Sequence, residues 1–201
     1  MSKPIDHERR RAEIIQATWT LVARGGFQAA TMREIAAEAG FANGALKTYF
    51  ADKDELLAAA FQRTFFCINE RAAHAIGDRT GLAAVHLLAL EMLPLDDTRR
   101  TEARVMVAFW DRAAHRKPLM KVHTDSLAIW RKWMADQVEL DRRAGRLGTS
   151  VRIADFVDEV LFLTTGMRAL SALAPTLGAN SFPIEQLERS IARLTGSAGT
   201  T

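Results

Sequence analysis

Apolar residues in this chain recur at spacings of three and four, and almost nothing alternates at two, which restricts it to helix along its whole length. Glycine and proline divide that pattern into about nine helices. Residues 7–24 form the first, closing at Gly25-Gly26, and short helices follow at 32–39 and 43–49. A long helix starts at Lys53 and runs to Ile76, before Gly77. Others cover 81–93 before Pro94, 99–115 before Pro118, 118–144 before Gly145, 151–174 before Pro175, and 183–195. Residues 197–201 read as a disordered tail. With 48% hydrophobic and 25% charged residues in 201, wholesale disorder is excluded. The net charge of +3 names no partner, so any basic patch must be local. A single cysteine, Cys67, forbids an internal disulfide and a thiolate metal cluster, and suits a reducing compartment. The first fifteen residues lack the apolar core of a secretory leader, and no run reaches the ~18 apolar residues of a membrane span. The expectation is a soluble cytoplasmic protein with no membrane partner.

The segment from Thr31 to Phe50 packs two short helices around a glycine turn, the layout of a helix-turn-helix. Thr31 and Glu34 have capping-box spacing, each side chain serving a backbone N–H at the start of the first helix. Ile35 and Ala39 share a side, and Ala36 is small where the second helix crosses. Gly40 supplies a sharp exit at which a β-carbon would clash. Leu46 and Phe50, four apart, anchor the second helix inward. Asn43, Gly44, Lys47 and Thr48 then face out with Tyr49 at the edge, a set able to enter a major groove without an opposing acid. Asp52 and Glu55 repeat the cap at the next helix and place Lys53 in its first turn, where it can reach a phosphate. Residues 1–53 carry eight Lys/Arg against six acids, and the Arg9-Arg10-Arg11 run is compatible with phosphate contact.

The pattern Arg11-x-x-Ile14-Ile15-x-Ala17, Gly25-Gly26-Phe27, Ala30-Thr31-x-x-Glu34-Ile35-Ala36-x-x-Ala39-Gly40, Leu46-x-x-Tyr49-Phe50-x-Asp52-Lys53-x-x-Leu56-Leu57 resembles the N-terminal domain of TetR-family transcriptional regulators. The likeness covers residues 8–68. Two departures stand out: Ala42 replaces the family's usual Ser, and Lys47 replaces a frequent Tyr, with Tyr49 two positions later as in the choline-responsive BetI-like branch. The resemblance implies a double-stranded DNA operator as partner, with Thr31, Arg33, Asn43, Gly44, Ala45, Lys47, Thr48, Tyr49 and Lys53 as the DNA-contacting set.

Beyond residue 68 the helical period carries the reading. Ala103, Met106, Val107, Trp110, Ala113 and Ala114 share one face; Met120, His123, Leu127, Trp130, Met134 and Val138 share another; Leu82, His86, Ala89 and Leu93 a third. Such stripes describe either a packed core or a ligand cavity with aromatic walls. The resemblance implies an inducer site, for which the candidates are Phe65, His86, Met106, Trp110, His123, Leu127, Trp130, Met134 and Phe162. The BetI likeness adds a possible cation–π cage of Trp110, Trp130 and Trp133. His86, His115 and His123 lack a carboxylate or thiolate to complete a metal site, so no metal and no cofactor are expected. The helix at 151–174 is apolar on two sides: Ile153, Phe156, Val157, Val160, Met167 and Ser171 on one, Phe162, Gly166, Ala169 and Leu173 on the other. With Ile184, Leu187, Ile191 and Leu194 of the last helix it reads as half of a four-helix homodimer interface or as a helix central to one chain.

The expected architecture is therefore all-α: a three-helix helix-turn-helix DNA-binding domain at 8–68, with its motif at 31–50, then a larger ligand-binding and dimerisation domain at 69–196. The expected function is a ligand-responsive repressor released from a palindromic operator by a small molecule. The alternative is a constitutive or activating regulator without an inducer. No phosphate loop or nucleophile–base spacing supports an enzyme.

Overall fold

The computed structural model describes residues 3–42, 44–147, 152–174 and 182–194. Among these there is no strand, as the spacing of apolar residues requires. Eight α-helices and one 3-10 segment follow in order: α1 (Lys3–Ala29), α2 (Met32–Glu38), the 3-10 segment (Ala45–Thr48), α3 (Lys53–Ile76), α4 (Gly81–Met92), α5 (Asp97–Ala113), α6 (Lys117–Arg143), α7 (Ile153–Leu173) and α8 (Phe182–Leu194). The expected helix at 43–49 is thus a single tight turn, and Asn43 lies outside the described residues, as does the 197–201 tail. Helix α1 reaches past Gly25, and the break comes at Gly26, whose φ of 70° and ψ of −177° leave the helical region.

The chain divides into two compact units. One comprises Met1–Phe66 with Arg104–His123, the other Cys67–Ala103 with Thr124–Thr201. In the first unit, Ile14, Leu21 and Val22 of α1 are buried, as are Ile35 of α2 and Leu56, Leu57 and Phe61 of α3. The Phe61 and Phe109 rings stack with centroids 4.0 Å apart. Ala114 and Met120 are exposed instead of facing inward, because they sit just beyond the end of α5 and in the first turn of α6, where the stripe has run out. At the start of α3, Asp54 accepts hydrogen bonds from Arg112 Nε at 2.8 Å and Arg116 Nε at 2.9 Å.

In the second unit α4 is buried along most of its length, including Leu82, Ala84, Val85, Leu88, Ala89 and Met92. Its ends therefore lie inside protein, where orphan N–H and C=O groups need partners. Gly81 N–H donates to Gln137 Oε1 and Leu82 N–H to Asp141 Oδ2, both at 2.9 Å, so α6 caps the start of α4. At the other end Arg168 Nε of α7 donates to the Met92 carbonyl at 2.6 Å. Arg71 forms two bonds to Glu102, at 2.8 and 2.7 Å, and a third to Glu91 at 3.0 Å. Arg99 meets the other oxygen of Glu91 at 2.6 Å. Helix α8 packs on α7 and α4, with Leu187 fully buried.

Gly81 has φ +69°, and a β-carbon there would meet Asp141 Oδ1 at 2.1 Å. Gly81→Ala is expected to cost about 2–4 kcal/mol through backbone strain and displacement of the cap, read as a lower urea midpoint. The hydrogen bond from Arg112, aided by Arg116, holds the Asp54 carboxyl below its ordinary value of 3.8. That stability is present above the unfolded value and is lost as pH falls through the folded one. Asp54→Asn is expected to be less stable than the parent chain at pH 7, with the gap closing below pH ~4 in urea unfolding at stepped pH.

Candidate functional site

The N-terminal site is built by a cap, a left-handed turn and two buried anchors. Thr31 Oγ1 accepts the Glu34 N–H at 3.2 Å, while Glu34 Oε2 accepts the Thr31 N–H at 3.0 Å and its hydroxyl at 2.7 Å. These bonds from Thr31 hold the Glu34 carboxyl below its ordinary value. At the turn, Gly40 has φ +72° and nothing within 4 Å of where a β-carbon would stand. The expected clash is therefore absent: the turn needs glycine for its left-handed backbone, and no neighbour crowds the position. Leu46 and Phe50 are buried, which turns Gly44, Lys47 and Thr48 to solvent and leaves Ala45 half-buried. Thr31 and Arg33 are exposed on the same motif.

Tyr49 is half-buried, with its ring 4.7 Å from that of His7 and edge-on to Phe41 at 5.8 Å. Its carbonyl accepts a 2.5 Å hydrogen bond from Arg11, whose guanidinium also lies 4.0 Å over the Phe50 ring. Glu55 accepts the Ala51 N–H at 2.7 Å, and Asp52 accepts the Glu55 N–H at 2.9 Å. The motif's exit is thus tied at both Tyr49 and Ala51. Arg9 pairs with Asp6 at 2.6 Å and Arg10 with Glu13 at 3.3 Å, so the three-arginine run is engaged with its own chain. Among the described residues, Arg33 and Lys47 make no ion pair. Lys53 stands with Nζ 3.8 Å over the Phe27 ring, and burial, with Arg112 nearby, pushes its pKa down. The lysine expected at a phosphate is seated on an aromatic face.

The candidate ligand residues fall in both units. In the first, Met106 is buried, and Phe65, Trp110 and His123 are half-buried. The His123 ring lies 5.9 Å from Trp110 and 6.0 Å from Phe61, and desolvation pushes its pKa below 6.5, favouring the neutral imidazole. Trp110 Nε1 and His123 Nδ1 are buried without a hydrogen-bond partner among the described residues. In the second unit Met134 is fully buried and Leu127 half-buried. Trp130 is 3% exposed, with Nε1 donating to Asn69 Oδ1 at 2.9 Å. Trp130 and Trp133 of α6, Asn69, Ala72 and Ile76 of α3, and Leu88 of α4 line a partly open cavity of about 210 Å³, with Ala73 and Ile129 at its exposed side. His86 lines a different, more open groove of about 600 Å³ with Leu82, Glu188 and Ile191. Phe162, expected in the cavity wall, is 76% exposed on the outside of α7 and takes no part in either.

Helix α7 has two faces. Phe156, Val157, Val160, Leu161, Thr164, Arg168 and Ser171 are buried in its own unit. Phe162 and Leu173 project outward, each 76% exposed, with Leu170 and Gly166 beside them and Ala169 half-buried. On α8, Ile184 and Ile191 are half-buried, whereas Leu187 is turned fully into its own unit and cannot itself line an outer surface. The side chain of Leu194 lies outside the described residues. Sequence reading missed Arg168, Arg71 and Glu102, yet one signal was present: Arg168 falls four residues after Thr164 on the inward stripe of α7, where a charge demands a partner.

Comparison with known proteins agrees with this architecture. Residues 14–60 match the family described as bacterial regulatory proteins of the tetR family, and residues 82–196 match the C-terminal region of the BetI-type transcriptional repressor. The regulator PksA of Bacillus subtilis is 37% identical over 128 residues, 63% of this chain and 62% of that protein. The regulator BetI of Stenotrophomonas maltophilia is 31% identical over 115 residues, 56% of this chain and 59% of that one. The chain thus matches about three-fifths of the length of these relatives. Among solved structures, a transcriptional regulator from Rhodococcus sp. superposes with a TM-score of 0.81 at 24% identity, covering 95% of this chain and 98% of that one. A regulator from Saccharomonospora viridis in complex with choline gives 0.80 at 18% identity, covering 90% and 94%. Two family matches covering most of the chain, over an all-helical fold with a capped helix-turn-helix, place it in the TetR family of DNA-binding transcriptional regulators, with a C-terminal region of the BetI type.

Proposed function

We propose that this chain is a cytoplasmic, homodimeric repressor that leaves a palindromic operator when a small molecule binds its C-terminal region. The observation that carries the reading is the outer face of α7. Phe162, Leu170 and Leu173 form an exposed apolar stripe on a helix whose opposite face is already buried. Apolar surface of this kind is covered in a stable protein, and a second copy of the same helix supplies a self-complementary cover. Gly166 on that stripe lets two such helices approach closely.

Pairing would present two copies of the Thr31–Phe50 motif, one to each half-site about a helical turn or a multiple apart. Residues 8–68 then serve as the DNA-binding domain and 69–196 as the sensing and pairing domain. On the motif, Arg33, Gly44, Ala45, Lys47 and Thr48, with Tyr49 at the edge, face the groove from a frame held by Leu46, Phe50 and Arg11. The relatives named as BetI and the choline complex of a structural neighbour support a small-molecule effector. An effector shifts the operator equilibrium only by its preference for the conformation with lower DNA affinity.

Lys47→Ala combined with Tyr49→Ala is expected to weaken binding to the operator at least tenfold, measured by fluorescence anisotropy on a labelled duplex. Unchanged affinity would remove Lys47 and Tyr49 from the reading surface. Phe162→Asp with Leu173→Asp is expected to sediment at the mass of one chain where the parent sediments at two. A parent chain that is already monomeric at micromolar concentration would end the pairing proposal.

A further inference from the structure

The cavity beside Trp130 and Trp133 differs from a cation cage in three respects. Its described lining carries no Asp, Glu, Lys or Arg, so no carboxylate is present to compensate a bound positive charge. Its polar lining residue, Asn69, uses Oδ1 to accept the Trp130 indole N–H. The π-system of Trp130 is already engaged by a cation of the chain itself: the buried Arg168 guanidinium lies 5.5 Å from the ring centroid and is held there by the Met92 carbonyl. Burial pushes the Arg168 pKa down to about 10, which still leaves it charged at neutral pH. A second cation on the same indole would meet a like charge across a poorly screened interior.

We propose that this cavity binds an uncharged single-ring or fused-ring aromatic molecule and excludes organic cations, because the Trp130 indole that a quaternary ammonium would use already carries the Arg168 guanidinium. Size supports the assignment. An apolar protein cavity of about 150 Å³ accepts benzene, and this one, at about 210 Å³, has room for a ring with a substituent or for an indole. Trp133 offers a half-buried aromatic wall for stacked or edge-on contact, and Ile129, 57% exposed at the rim, gives the entering ring an apolar approach. The proposal deepens the reading of this region as ligand-sensing and rests on it for its regulatory consequence alone.

The test uses the full chain with isotope-labelled isoleucine δ-methyl groups, following Ile76 and Ile129 by NMR while indole or choline is added. Indole is expected to shift both signals saturably, and choline to leave them unmoved at the same concentrations. Ala73→Leu fills the cavity from an exposed position on α3 and so adds no bulk to the core. It is expected to weaken indole binding at least tenfold while the helical circular dichroism and the melting temperature stay those of the parent. Choline moving the two signals at equal or lower concentration, indole moving neither, or Ala73→Leu binding indole as the parent does would each overturn the proposal. Because occupancy is read at the cavity and not through DNA, an operator complex indifferent to indole would count against the inducible-repressor reading and leave the cavity assignment standing.

Discussion

Helix α4 has both ends inside protein, and much of the second unit follows from that constraint. A buried helix terminus leaves N–H and carbonyl groups that water cannot reach, and each unsatisfied one costs about 1–3 kcal/mol. Gln137 and Asp141 of α6 answer at one end and Arg168 of α7 at the other. Three helices are thereby set relative to one another by atoms that must meet. The Arg71–Glu102 and Arg71–Glu91 bonds tie α3, α4 and α5 in the same manner. Such partly buried pairs add little net stability over well-packed apolar groups, but losing Arg71 would leave the buried Glu102 without its bidentate partner.

The first unit uses arginine in a similar way near its surface. Arg11 ties α1 to the Tyr49 carbonyl and covers Phe50, while Arg112 and Arg116 converge on Asp54 at the start of α3. The helix-turn-helix motif is thus a short element held from behind, with Arg33 and Lys47 among its exposed cations. In the proposed homodimer two copies of the motif would act together, and phosphate attraction would sum over both.

Functionally, α7 connects two roles. Its buried face carries Arg168, which reaches both the end of α4 and the indole of Trp130, and its exposed face carries the apolar stripe assigned to pairing. In the proposed reading, the same arginine that completes the fold also selects against charged effectors.

Much was legible in the sequence. Spacings of three and four dictated helix throughout, because a side chain's face in a helix depends only on its own position along the chain. The Thr31–Glu34 and Asp52–Glu55 caps were readable for the same reason, since their partners lie three residues apart. Tertiary structure alone decided the rest. Periodicity identifies an apolar face but not the neighbour that covers it, so Phe162 was expected both in a cavity and on an outer face, and Leu187 at a pairing surface, while the fold exposes the first and buries the second. Charges were the least legible of all. Lys53 and Phe27, Arg11 and Tyr49, Arg168 and Met92 meet across 26 to 76 positions of chain, and the partner of a long flexible side chain is settled by packing, not by spacing.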